Sequence, residues 1–247
     1  MIVLNEEVED KIWIGSFDIG KKNFAFCIEE VDINKIKRIK SIDVNKRYNE
    51  DHTVTESMKI TLDDLYKTGK LVLHKNNDLT EGVEEGKYYD YEYCYNMTKV
   101  LDEYLKLWDK CSIIIIEEQM SFRGKINPMA LKLGQHCFSY FAINYGKHKI
   151  IKVFPSYHKT NVLGAPKTKT TTKKGAIKWK TLGDKERKTW SVELVKYILE
   201  KRNETESLDI FKKQDRKKGV KKVKLDDLAD VVVQLQAFKY LYFIDKI

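Results

Sequence analysis

The stretch Ile113–Glu118, Ile-Ile-Ile-Ile-Glu-Glu, constrains the fold more than any other part of the chain. Four consecutive β-branched apolar residues suit a strand covered on both faces, in the middle of a sheet. Acids at the end of such a strand lose hydration and repel any carboxylate brought near them. The least strained arrangement is a cation shared with acids from elsewhere in the chain. Two other places supply such acids: Asp18 in Ile14-Gly-Ser-Phe-Asp-Ile-Gly20, and Asp227 with Asp230 in Leu225-Asp-Asp-Leu-Ala-Asp230.

A chain of 247 residues can bury a full core as one domain with insertions. Charged residues at 34% against 42% apolar predict that core together with long solvated segments. No apolar run approaches the roughly 18 residues of a membrane span. The start, Met1-Ile-Val-Leu-Asn-Glu-Glu7, lacks a signal-peptide pattern, so an intracellular protein is expected. Cys27, Cys94, Cys111 and Cys137 form no C-x-x-C pair, which argues against a zinc knuckle and for reduced, buried thiols. His136, His148 and His158 lack ligand spacing and read as surface or helix residues.

The basic charge is local. Lys167–Lys188 and Lys212–Lys224 each carry a net +7, against +9 for the whole chain, so the remainder is net −5. Two basic tracts on a mildly acidic body suit a polyanion that the tracts grip while the body acts on it. Lysine-rich loops that serve only solubility would give the same count.

In chain order, Lys11–Asp18 and Asn23–Val31 read as two paired strands with Gly20 in the turn, and Lys35–Val44 as a third. Residues 45–90 carry little pattern, though Leu71–His74 and Tyr88–Tyr91 could flank an inserted hairpin. Tyr93–Lys110 has helical apolar spacing and leads into the isoleucine strand, a crossover that makes the fold α/β with a mixed sheet. Met129–Tyr145 reads as a helix with Pro128 in its first turn, and Lys149–Phe154 as a further strand. Pro166–Lys188 has no apolar periodicity and is expected to order only on a ligand. Trp190–Arg202 resumes a helix, Lys212–Lys224 is expected to be a loop, and Leu225–Ile244 closes the chain as an apolar helix.

Asp227 and Asp230 lie three apart near the start of that helix, on one face. Acids there also favour the helix dipole, by about 0.5 kcal/mol each, which accounts for Asp226 and Asp227. It accounts less well for Asp230, which is followed directly by Val-Val-Val. Singly, Asp18 could form a turn and Glu118 could be solvated at a strand end. Together, a strand acid, a buried-strand acid and a D-x-x-D helix in a basic chain form a more specific pattern.

That pattern resembles the RNase H-like superfamily and, within it, RuvC-like Holliday junction resolvases of the form carried by poxviruses and other large DNA viruses. The resemblance is carried by Phe17-Asp-Ile-Gly-Lys-Lys-Asn-Phe-Ala25, Ile116-Glu-Glu-Gln119, Val153-Phe-Pro-Ser156 with Lys159, and Lys224-Leu-Asp-Asp-Leu-Ala-Asp230. It spans nearly the whole chain as one RNase H-like domain, a mixed sheet with an antiparallel meander and parallel strands flanked by helices. Insertions fall at about 45–92, 166–188 and 203–223. The resemblance implies that Asp18, Glu117, Asp227 and Asp230 bind two Mg²⁺ ions, with Mn²⁺ able to substitute, for paired nicking of four-way DNA junctions. Glu117 is preferred to Glu118 because the family pattern places one residue between the catalytic Glu and the Gln. If Glu118 faced inward, alternation would turn Glu117 away.

The resemblance also implies a lysine near the scissile phosphate, for which Lys159 matches best and Lys188 is the second choice. Arg123, Lys125, Lys173, Lys174, Lys178, Lys188, Lys217 and Lys218 are the expected DNA contacts. A two-fold symmetric junction implies a homodimer, with Met129–Tyr145 as the candidate interface. Another RNase H-like nuclease, transposase-like or hybrid-cutting, would show the same acids. A non-catalytic nucleic-acid binding module would bind in a salt-dependent way and cut nothing. The actin and sugar-kinase group requires a second phosphate loop that this chain lacks.

Overall fold

The computed structural model describes residues 10–84, 91–119, 127–171, 175–213 and 224–247. The chain opens with β1 (Lys11–Asp18) and β2 (Phe24–Asp32), then passes through α1 (Ile33–Lys37), a 3-10 turn at Val44–Lys46 and α2 (Glu56–Tyr66) to β3 (Gly69–Asn77). Next come α3 (Tyr91–Asp102), α4 (Leu105–Trp108), β4 (Cys111–Glu118), α5 (Pro128–Tyr145), β5 (Ile150–Pro155) and α6 (Tyr157–Val162). A hairpin of β6 (Lys167–Thr171) and β7 (Ile177–Thr181) precedes α7 (Asp184–Arg202), α8 (Thr205–Lys213) and α9 (Leu225–Lys239). α9 runs on into a π-helical turn at Tyr240–Asp245.

Five strands form one sheet in the order β3-β2-β1-β4-β5, with β6 and β7 as a separate two-stranded sheet. β1 is antiparallel to β2 and β2 to β3, whereas β1–β4 and β4–β5 are parallel. This is the mixed, helix-flanked sheet expected of an RNase H-like fold.

The isoleucine run feeds two cores at once. Ile113 and Ile115 pack in the cluster that holds Val195 of α7 and Val231 and Leu235 of α9. Ile114 and Ile116 pack in the opposite cluster, with Met97 of α3 and Leu133 and Phe141 of α5. Each fully buried isoleucine contributes about 1.5–3 kcal/mol. Ile14 of β1 belongs to the α9 side and Phe17 to the other. Period-two alternation therefore turns Ser16, Asp18 and Glu117 toward α9.

Several sequence expectations are corrected. Lys35–Val44 is not a strand: the Asp32 carboxylate caps α1 by accepting from Lys35 N, and Ile33 and Ile36 are buried at helical spacing. The third strand is β3, which takes in Leu71–His74, while Tyr91 begins α3 and the rest of the expected Tyr88–Tyr91 strand lies outside the described residues. The predicted Tyr93–Lys110 helix breaks after Asp102, where Trp108 turns in and donates from Nε1 to Leu101 O at 2.7 Å. The 166–188 tract, read as lacking regular structure, contains β6, β7 and the first turn of α7, while residues 172–174 lie outside the described residues. The second basic tract begins inside α8, whose last residue is Lys213, and the tract from 214 to 223 lies outside the described residues.

At the other end of α9 sits a buried charge network. Glu29 of β2 is fully buried and accepts from Lys239 Nζ at 2.6 Å, from Arg202 at 3.0 Å on each oxygen, and from Gln236 Nε2 at 2.8 Å. Arg202 also pairs with Glu204 at 3.6 Å. The β2–β3 register shifts at Ile28/Glu29, and a Cβ on Gly69 would collide with the Glu29 side chain, so glycine makes room for the acid. Burial pushes the Glu29 carboxyl up, but Arg202 and Lys239 outweigh it and hold it at about 2. Burial draws the Lys239 ammonium down to about 8 although Glu29 opposes this, so it is charged at neutral pH.

Removing one partner of a buried ion pair costs about 3–5 kcal/mol, so Glu29→Ala should lower the urea unfolding free energy by that amount. The sign of the acid dependence follows from the depressed carboxyl. Its contribution is complete above the ordinary value of 4.5 and is lost as pH falls through about 2, about 3 kcal/mol in all. Wild type should show that loss and Glu29→Ala should not; overlapping acid profiles would contradict the assignment.

Candidate active site

β1 and β4 run parallel with Phe17 beside Ile116, so Asp18 and Glu117 end neighbouring strands at one sheet edge. α9 lies across that edge and is fixed in rotation by polar contacts to the strands. Ser16 Oγ donates to Val231 O at 2.8 Å, Gln234 Nε2 donates to Ser16 Oγ and Phe17 O at 3.1 Å each, and His74 Nε2 stands 2.8 Å from Leu228 O. Those contacts turn the first turns of α9, with Asp227 and Asp230, toward the edge. β5 ends at Pro155, and the short α6 that follows brings Lys159 in from the other side.

Lys159 Nζ is 3.0 Å from Glu117 Oε1 and 3.7 Å from Asp230 Oδ2, with 10% of its side chain exposed. Burial lowers the Lys159 ammonium, but Glu117, Asp230 and Asp18 outweigh it and hold its pKa above the usual lysine value. Burial and the neighbouring Glu117 push the Asp18 carboxyl well up, and the two side chains are hydrogen-bonded. Burial also raises Glu117, yet Lys159 and the bond from Asp18 bring it below the usual carboxylate value. The two neighbouring carboxyls are thus driven in opposite directions, Asp18 up and Glu117 down. Asp227 is pushed up to about 6 by burial and by Asp226, against Lys224 and Lys188.

Asp227 has a different set of neighbours from Asp18 and Glu117. With its amide oriented to satisfy both polar atoms, Asn23 donates to Asp227 Oδ2 at 3.2 Å and accepts from Lys224 Nζ at 2.8 Å. Glu118 is exposed and faces away from α9. Lys188 pairs with Asp226 at 2.9 Å and lies 3.8 Å from Asp184, so it stands over the start of α9 and not among Asp18, Glu117 and Asp230. Lys178 is exposed on β7. Arg123, Lys125, Lys173, Lys174, Lys217 and Lys218 lie outside the described residues.

A cleft of about 470 Å³ opens on Glu117, Lys159 and Asp230. Sequence reasoning missed three residues on its wall. Arg187, from the first turn of α7, acts electrostatically on Glu117. Ser191 is buried one turn further on, and His52 reaches the cleft from the loop before α2 with a left-handed φ of 68°. The only signal for Arg187 was its place in a basic tract; His52 had none.

The donor set fits a hard divalent cation, since Asp18, Glu117, Asp230 and Asp227 offer carboxylate oxygens. The Lys159 ammonium between Glu117 and Asp230 provides positive charge that such a cation would replace. Among the described residues, no three His, Cys, Asp or Glu side chains already stand in a ligating arrangement. Lys159 would have to yield its place for the carboxylates to close on a metal.

No family model matches the chain. The fowlpox virus resolvase in complex with substrate Holliday junction DNA is a similar solved structure, at TM-score 0.49 and 17% identity, covering 93% of this chain and 99% of that one. Thermus thermophilus RuvC gives 0.46 and 10%, covering 94% and 98%, and the yeast mitochondrial Holliday junction resolvase Ydc2 gives 0.47 and 14%, covering 96% and 82%. Among curated relatives, Uncharacterized protein 97L of Invertebrate iridescent virus 3 is 26% identical over 92% of this chain and 98% of its own length. Uncharacterized protein 170L of Invertebrate iridescent virus 6 is 33% identical over 98% of this chain and 94% of its own. At that identity and coverage, the chain belongs to the family of iridescent virus protein 170L.

Proposed function

We propose that this protein is a metal-dependent endonuclease that nicks four-way DNA junctions by phosphodiester hydrolysis. One observation carries the reading: carboxylates from β1, β4 and α9, far apart in sequence, meet around Lys159 at one sheet edge. A structural role alone gives no reason to gather buried acids at the mouth of a cleft, where each is expensive to desolvate. The motifs around Asp18, Glu117 and Asp230 and the two basic tracts support the same reading.

Asp18, Glu117 and Asp230, with Asp227, would hold two Mg²⁺ or Mn²⁺ ions. Held there, such ions would lower the pKa of a bound water and offset charge on the leaving 3′ oxygen. Lys159, released from Glu117 and Asp230, would offset charge on the scissile phosphate, and Arg187 lines the same cleft. Asn23 orients Asp227, while Ser16 and Gln234 hold α9 in register. Two matched nicks require a second copy. The α5 helix, with Ile143 82% exposed, is the proposed contact.

Asp18→Asn and Asp230→Asn should retain binding to a synthetic four-way junction and lose Mg²⁺-dependent nicking. Outer-shell partners of metal ligands typically cost 10–100-fold, so direct ligands should cost at least about 100-fold. Assays on junction, flap, hybrid and linear duplex test the substrate class. Retained nicking in both variants would remove the assignment.

Lys159→Met separates metal binding from chemistry. The ammonium competes with a cation for Glu117 and Asp230, so this variant should melt lower than wild type without metal and gain more melting temperature from added Mg²⁺. Its nicking should still fall. An equal Mg²⁺ shift in both proteins would show that Lys159 and the metal do not share those carboxylates.

A further inference from the structure

We propose that the β6–β7 hairpin is a nucleic-acid-binding arm, with Trp179 contacting unstacked bases beside the scissile phosphate and Lys178 and Lys180 holding the backbone. The inference deepens the nuclease reading and rests on it. Three observations carry it. The hairpin belongs to no larger sheet, and isolated two-stranded hairpins are marginal in water without a partner. Its strands carry four lysines and no acid. Its base is built into the catalytic cleft: Lys167 and Thr181 line the same cavity as Glu117, Lys159 and Asp230.

The register sorts the side chains by face. Lys169 pairs with Trp179 and Thr171 with Ile177, so Trp179, Ile177 and Lys169 share one face. Thr168 pairs with Lys180 and Thr170 with Lys178, so those two lysines share the other. Ile177 is 64% exposed, and the Lys169 ammonium lies 5.4 Å from the Trp179 ring centroid. The contact from Lys169 to Glu50, at 3.6 Å, is solvent-exposed and screened. One face thus offers an aromatic ring and an aliphatic wedge beside Lys169, the other Lys178 and Lys180.

A polyanion with accessible bases satisfies both faces; an apolar protein groove would leave the lysines unpaired. Trp179 lies two residues along β7 from Thr181, about 7 Å at strand rise. That distance places its ring within reach of the nucleotides flanking a phosphate held in the cleft. In branched DNA those nucleotides include the ones whose stacking is interrupted, and aromatic rings bind such bases without sequence preference.

The test measures affinity of the full chain, in EDTA so that nothing is cut, for a synthetic four-way junction and a linear duplex of equal length. Trp179→Ala should weaken junction binding by about 5- to 150-fold, change duplex binding less, and be largely rescued by Trp179→Phe. Lys178→Ala with Lys180→Ala should weaken both substrates and reduce the salt slope by about 1.8. Unchanged melting temperatures keep a folding defect from imitating the result.

Wild type that nicks junctions while Trp179→Ala binds and nicks them equally well would overturn the hairpin assignment and leave the nuclease reading standing. Light scattering that shows Trp179→Ala separating a dimer, with junction affinity per subunit unchanged, would also overturn it in favour of a second copy as occupant. Wild type that neither binds nor nicks the junction would remove both.

Discussion

Acids gathered at one end of an apolar sheet repel one another, and Lys159 is the charge that lets them remain. Its ammonium touches Glu117 and Asp230 and lies within the field of Asp18. Burial and Glu117 still push the Asp18 carboxyl well up, so a single lysine does not relieve the whole cluster. The α6 helix is only six residues long, and it carries the side chain on which the edge depends.

α9 links this site to the rest of the fold through two different kinds of interaction. At its start, Ser16, Gln234 and His74 fix its rotation through backbone carbonyls of α9 and β1. At its end, Lys239 is tied into the Glu29–Arg202 network beneath α7 and β2. Asp230 and Lys239 are nine residues apart, about 13 Å of helix. The acidic edge is thus braced by a neutral hydrogen-bonded set nearby and by a charged set further along. Buried charges in a satisfied network tolerate little displacement, since each partner lost leaves a full charge in a medium that solvates it poorly.

The residues made some of this legible and hid the rest for physical reasons. Four isoleucines in a row could only be a strand covered on both sides, and the core confirms it: odd and even members of the run pack into different clusters. That alternation also turns Glu117 toward α9 and Glu118 toward solvent, a distinction that needed the position of α9. Lys35–Val44 reads as a strand because Ile36, Ile39 and Ile42 recur along it. A capping Asp32 and buried Ile33 and Ile36 make the start of that segment helical instead. The Glu29 network could not be read at all, since Arg202 and Lys239 lie 173 and 210 residues away. In the basic tract, charge obscured the strand pattern, and threonine and lysine alternate across the hairpin with few apolar marks.

The most direct test of the central claim is anomalous diffraction from crystals soaked in Mn²⁺. Two peaks about 4 Å apart, bounded by Asp18, Glu117 and Asp230 and with the Lys159 ammonium moved from between them, are the result the account predicts. Saturating Mn²⁺ with no peak among these carboxylates, and Lys159 still paired to Glu117, would contradict it.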